Sequence, residues 1–185
     1  MFFFYENSDE LNIEPMCVEH AYLALLSNDT ESAREVFNAL DSPRARWGRA
    51  LVDILNGYLE HYPTYFEVRN FLEIDLDFLL KNEKIDYVEM ILGSLNVLIE
   101  INQEAYKYVA RVMFENKLYK VAREYLEKSK NVFYNDPELH FMYAKYYLKT
   151  RDYEAADYHL DECLNILPDY FPALNLQKEI SRYLA

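Results

Sequence analysis

The sequence predicts an all-α protein whose helices stack as antiparallel hairpins, and three observations carry that expectation. Only three glycines, Gly48, Gly57 and Gly93, occur in 185 residues, too few for the tight turns of a β architecture. Two segments, 103–136 and 137–170, begin 34 positions apart and align without gaps: Ala110 with Ala144, Tyr119 with Tyr153, Ala122 with Ala156, Leu126 with Leu160. Small residues recur where two helices would cross closely, and bulky ones recur where a neighbouring helix leaves a gap. Strict apolar alternation is confined to 71–78. It is read as helix, because both flanks are helical and no partner strand is on offer.

The elements follow in order. Residues 1–12 form a tail whose Phe2-Phe3-Phe4-Tyr5 is too apolar to lie free; it either tucks onto the first helix pair or meets a second copy. Residues 13–43 make a degenerate repeat, with Cys17, Ala21, Ala24, Ala33, Phe37 and Leu40 on its inner faces and a turn at Asn28-Asp29-Thr30. Ser42 is a helix cap with Pro43 at the first helical position. That helix is expected to run to about Glu60, before Pro63 breaks the chain. It carries the single tryptophan, Trp47, read as a packing residue among solvated Arg44, Arg46 and Arg49. Divergent helices over 64–81 and 85–101 complete the 44–102 stretch, parted by Asn82-Glu83-Lys84, with Asp75 where the repeat calls for leucine. After the two clear repeats, 103–136 and 137–170, a helix over 171–184 caps the open end of the single domain 13–185.

Charge and composition narrow the function. The formal net charge is −13, from 19 basic and 32 acidic residues. That excludes a general nucleic-acid binder, whose affinity comes from cations displacing counterions, and an anionic-membrane binder. No run reaches the ~18 apolar residues of a membrane span. With no basic, apolar leader and two well-separated cysteines, Cys17 and Cys163, the expected location is cytoplasmic. Cys17-x-x-His20 is half a zinc site without a second half. Glu73, Asp75 and Asp77 do not share one helical face. The acidic run Asp152, Glu154, Asp157, Asp161 and Glu162 lacks the turn glycine of a calcium loop. No nucleophile elbow, phosphate loop or dinucleotide fingerprint is present, so neither enzyme activity nor a cofactor or metal is expected.

The two repeats resemble the tetratricopeptide repeat (TPR) family. Its pattern of bulky, Leu-Ala, Tyr, aromatic, Ala, bulky, Ala and Pro falls in the second repeat on His140, Tyr143-Ala144, Tyr147, Tyr153, Ala156, Leu160, Cys163 and Pro168. In the first it falls on Tyr106, Val109-Ala110, Met113, Tyr119, Ala122, Leu126 and Ser129, with Tyr134 replacing the proline. The resemblance implies an α-solenoid whose first helix of each repeat lines a concave groove, and a protein-binding scaffold with no catalysis. Groove positions implied by the family bring Lys107, Tyr108, Arg111, Phe114, Phe141, Met142, Lys145 and Lys149 to one surface. The partner expected there is a peptide or helix with apolar anchors and acidic groups; homo-oligomers stay open. The family's clamp for chaperone tails is not reproduced, since Arg111 and Met142 replace its asparagines. A cytosolic chaperone for secreted or assembly-substrate proteins, and a regulatory enzyme subunit, are the alternatives.

Overall fold

The computed structural model describes residues 17–184; the expected tail 1–12 lies outside the described residues. Eleven helices fill the described residues, and no strand occurs among them: α1 (Val18–Leu26), α2 (Thr30–Ala39), α3 (Pro43–Leu55), α4 (Tyr65–Lys81), α5 (Ile85–Gly93), α6 (Leu95–Ile101), α7 (Ala105–Glu115), α8 (Tyr119–Val132), α9 (Pro137–Thr150), α10 (Tyr153–Ile166) and α11 (Phe171–Leu184). The pairs α1/α2, α7/α8 and α9/α10 are hairpins of neighbouring helices, and α11 packs on α10. The alternating segment 71–78 lies inside α4, where Leu72, Leu76 and Leu79 are buried at helical spacing.

The backbone carries the 34-residue period more plainly than the side chains do. Glu83, Lys117 and Arg151 all have φ near +60°, and their numbers differ by 34 each time. Each ends the first helix of a hairpin in the same way. The Lys117 N–H donates to the Phe114 carbonyl (2.9 Å) while the Leu118 N–H reaches back to Met113 (2.8 Å); Arg151 and Asp152 repeat this on Leu148 (3.1 Å) and Tyr147 (2.9 Å). This pair of bonds turns the chain through a left-handed residue, satisfying carbonyls that the helix end would orphan. Asn28 makes the same turn between α1 and α2. Asparagine tolerates that conformation; lysine, arginine and glutamate do so only at a steric cost. Lys117→Gly and Arg151→Gly are therefore expected each to stabilise the protein by about 0.5–1 kcal/mol, because relief of the left-handed strain exceeds the added chain entropy. Urea midpoints with unchanged m-values will show it.

Buried residues recur at the same repeat positions, small in the two clear repeats (Ala110 and Ala144 in the first helices, Ala122 and Ala156 in the second) and larger in the divergent one (Leu76 and Val88). Ser129 and Cys163 occupy a further small buried position. Burial pushes the Cys163 thiol up to about 11, which suits a small apolar filler rather than a nucleophile.

Two departures from the sequence reading have clear causes. The third helix ends at Leu55, not near Glu60, because Gly57 takes a φ of +82° and closes the helix with the same double bond, Tyr58 N–H to Asp53 O (3.1 Å). No second helix follows it directly; a loop leads to Thr64, which caps α4 reciprocally with Glu67 (3.3 and 2.8 Å). The expected helix over 85–101 is broken at Gly93-Ser94, where the Ser94 hydroxyl donates to the Met90 carbonyl (3.1 Å). A glycine–serine pair is a usual place for such a break. It lets α5 lie on α3 while α6 turns to α7, so α5 stands where the missing partner of α3 would be.

Trp47 is fully buried as expected, but the three arginines around it are not simply solvated. Arg44 pairs with Asp75, Arg46 Nε donates to Glu67 (2.9 Å), and Arg49 caps α2 by donating to the carbonyls of Phe37 (2.7 Å) and Leu40 (3.3 Å). Helix α2 crosses α3 at Gly48, where an added Cβ would fall 2.3 Å from the buried Phe37 ring.

Candidate peptide groove

First helices of successive hairpins lie side by side, and the residues they present decide what the surface can hold. Between α7, α9 and α11 runs a cleft of about 850 Å³. Phe114, Phe141, Leu148 and Leu176 supply its apolar walls, and Lys145, Lys149 and Arg151 its cations, against one carboxylate, Glu179. On a chain of net charge −13, Lys149 and Arg151, the two cations here without a salt-bridge partner among the described residues, make a local positive field of the kind that recruits acidic segments.

The ring of Phe114 packs edge-on to Tyr119 (5.3 Å) and that of Phe141 edge-on to Tyr170 (5.4 Å), so both rings are held in place. Lys145 Nζ lies 4.9 Å above Phe114 and 2.8 Å from the Glu115 carboxylate. Lys149 and Arg151 are exposed, and neither makes a salt bridge among the described residues. Their charges stay available.

The other predicted groove residues sit lower. Met142 and Tyr108 are buried, and the Tyr108 hydroxyl donates to Glu104 (2.7 Å). Lys107 is 2% exposed. Its ammonium is enclosed by Asp136 (2.6 Å), Glu104 (2.8 Å) and Glu138 (3.1 Å). Burial alone would push that ammonium's pKa down, but the hydrogen bonds it donates to Asp136 and Glu104 outweigh it and hold the pKa above the usual lysine range. Arg111 bridges Glu73 (3.0 Å) on α4 and Glu138 on α9. Four carboxylates thus surround two cations between α4, α7 and α9, so this part of the surface is spent internally and is net acidic. Lys107, Tyr108, Arg111 and Met142 form the floor beside the cleft, while Phe114, Phe141, Lys145 and Lys149 line it. The α11 residues that complete it, Pro172, Asn175, Leu176, Glu179 and Tyr183, were not among the sequence candidates. One further step of 34 from Glu138 reaches Pro172, and the same step from Phe141 reaches Asn175, so the repeat period was the signal that could have found them.

Nothing in these surroundings resembles a reaction centre. Cys17 and His20 close the start of α1 on each other, with the Cys17 N–H donating to His20 Nδ1 (3.3 Å). Among the described residues no group of three His, Cys, Asp or Glu could hold a metal, and no helix is long and apolar enough to cross a membrane. The other two histidines of interest, His140 and His159, face each other through their Nδ1 atoms at 3.2 Å. The His159 ring stacks on Tyr143 (4.7 Å) and Tyr147 (5.5 Å).

Burial, and then the His140 charge, push His159 down to about 4; burial also lowers His140. A histidine whose folded pKa lies below its unfolded value contributes stability that is complete above about pH 6.5 and is lost as pH falls toward 4. The wild type is therefore expected to lose about 3 kcal/mol from this site between pH 7 and 4. His159→Phe, which keeps the ring stack, will lose most of that slope. Urea titrations at pH 7, 5.5 and 4 compare the two.

Neither a protein-family model nor a curated protein matches the chain. Among solved structures it is similar to a chain in the crystal structure of the APC/C hetero-tetramer Cut9-Hcn1, a TPR protein, with a TM-score of 0.53 at 17% identity. The similarity covers 86% of this chain and 34% of that one, so the chain spans about a third of that protein's length. Identity this low speaks for architecture alone. Together with the helical hairpins and the recurring left-handed turn, it shows that the chain has the fold of a tetratricopeptide-type helical repeat protein.

Proposed function

We propose that the chain is a non-enzymatic adaptor that binds an acidic, amphipathic peptide or helix of a partner protein in the cleft between α7, α9 and α11. One observation carries this reading: Phe114, Phe141, Leu148 and Leu176 stand apolar and half-buried in one cleft whose rim carries the unpaired charges of Lys149 and Arg151. Apolar sockets with a charged rim are how helix-in-groove recognition works: the sockets take the anchors at i, i+3 or i+4, and the rim selects the register and raises the on-rate. The cytoplasm is the compartment we assign, from the two free cysteines. A multi-protein setting agrees with the similarity to a chain of a hetero-tetramer.

The test is a pull-down from source cells with the wild type, Lys149→Glu/Arg151→Glu and Phe141→Ala. Each variant is expected to weaken retention of the specific partner at least tenfold, about 1.4 kcal/mol or more, while its circular dichroism spectrum at 25 °C stays helical; Phe141→Ala, which also loses its contact with Tyr170, melts lower but remains folded. Lys149 and Arg151 are exposed and hold no ion pair among the described residues, so their reversal breaks no salt bridge of the fold. Equal retention by all three proteins would remove this cleft from the binding site.

A further inference from the structure

A second cleft, of about 940 Å³, lies between α1, α3 and α4, at the other end of the stack. It is the more apolar of the two: Tyr22, Leu23, Leu26, Leu40, Ile74 and Phe78 line it. Leu23 is 60% exposed and Ile74 54%, large aliphatic side chains left open on adjacent helices. Such a patch calls for a cover. At its edge, Arg44 Nη1 is buried and lacks a hydrogen-bond partner among the described residues, although the other arm of the guanidinium pairs with Asp75.

The chain itself enters at this cleft. Cys17, where α1 is capped, is one of the lining residues, and it is the residue to which 1–16 are joined. Residues 2–5 are Phe-Phe-Phe-Tyr. Residues 6–16 connect them to Cys17, and a linker of that length reaches up to about 36 Å when extended, ample to fold back over a cleft that begins at its own anchor. Being tethered, the aromatics face the cleft at a local concentration of the order of millimolar, far above any free partner. The apolar lining demands aromatic or aliphatic groups rather than charge, since Glu19 and Asp41 share the rim with Arg44.

We propose that Phe2, Phe3 and Phe4 of the same chain occupy the α1/α3/α4 cleft, and that Arg44 Nη1 donates to a main-chain carbonyl of that segment. The seated segment covers Leu23 and Ile74, the two exposed aliphatic side chains of the cleft. It also leaves the α7/α9/α11 cleft as the open one.

Paramagnetic broadening in the full chain tests this. A nitroxide is placed on Ile74→Cys in a Cys17→Ser background; Cys163, fully buried, stays unlabelled. The expected result is strong loss of the amide signals of residues 2–5, which are some 70 positions away in sequence, independent of protein concentration. Full intensity for those amides would overturn the proposal. So would broadening seen only when isotope-labelled chains are mixed with spin-labelled ones, which would assign the cleft to a second copy. An independent arm uses Phe2→Ser/Phe3→Ser/Phe4→Ser with anilinonaphthalene sulfonate, a probe of open apolar clefts. Several-fold higher dye fluorescence than the wild type is expected, with an unchanged helical spectrum; equal fluorescence would count against the seated segment.

Discussion

Lys107→Met is expected to cost the fold about 3–5 kcal/mol, the range for removing one partner of a buried ion pair. Methionine is an unbranched apolar chain, one heavy atom shorter and with sulfur at the δ position, so most of the packing is preserved and the loss reports chiefly charge. What remains is a cluster of like charges, Asp136, Glu104 and Glu138, within about 3 Å of where the ammonium stood. Asp136 is also the cap of α9, accepting from the Glu138 N–H at 2.9 Å. Lys107→Glu adds a fourth carboxylate and should leave no cooperative unfolding transition at 25 °C. Asp136→Asn keeps the cap while removing a charge, so Lys107→Met/Asp136→Asn should regain about 2 kcal/mol over the single variant, a coupling read from a double-mutant cycle in urea. If Lys107→Met lowers stability by less than 1 kcal/mol, the enclosure by three carboxylates is wrong.

The same result decides how partner binding can be probed. From the sequence alone, Lys107 is one of four groove cations with Arg111, Lys145 and Lys149, and a charge reversal there looks like a clean test of binding. In the structure Lys107 is enclosed by three carboxylates, so that substitution is expected to unfold the protein, and any partner would be lost for the wrong reason. Lys149 and Arg151 are the cations that can be reversed safely.

How far the sequence led can be seen in these residues. The period of 34 was legible because it places the small residues Ala110, Ala122, Ala144 and Ala156 at matching positions; all four are fully buried. The start of α3 was legible because Ser42-Pro43 is a local signal: the serine oxygen accepts from the Ala45 N–H at 3.1 Å. The end of α3 was missed although Gly57 stood in the sequence, since a helix stop and a tolerated glycine look alike until the left-handed turn is seen. Charge on the groove was misjudged for a different reason. Repeat positions say which side chains share a face, but the neutralising partners, Asp136 from the loop before α9 and Glu73 from α4, come from other elements that no helical wheel includes.

Asp75→Ala is expected to be as damaging as Lys107→Met, at about 3–5 kcal/mol, and for a related reason. The repeat pattern asks for leucine here, and the aspartate is fully buried. It accepts from three donors on two other helices: the Tyr22 hydroxyl of α1 (2.9 Å), and the Trp47 indole N–H and Arg44 guanidinium of α3. Burial raises its carboxyl pKa, with Arg44 and the indole opposing. The carboxylate is therefore the knot that ties α1 and α3 to α4 where the regular hairpin series is interrupted. Alanine orphans all three donors and leaves the Arg44 charge, stacked 4.8 Å from both Tyr22 and Phe71, without its counter-ion. Removing two of the three donors together with the acceptor should undo much of this harm: Asp75→Leu/Arg44→Met/Tyr22→Phe is expected to stand at least ~2 kcal/mol above Asp75→Leu alone, because the buried charge and hydroxyl that Asp75→Leu orphans are gone. The single tryptophan reports both, since Trp47 donates to the substituted residue and its emission will shift with the loss of that bond. Were Asp75→Leu alone as stable as the wild type, the buried carboxylate would be a tolerated intruder rather than the tie between the first hairpin and the rest of the stack.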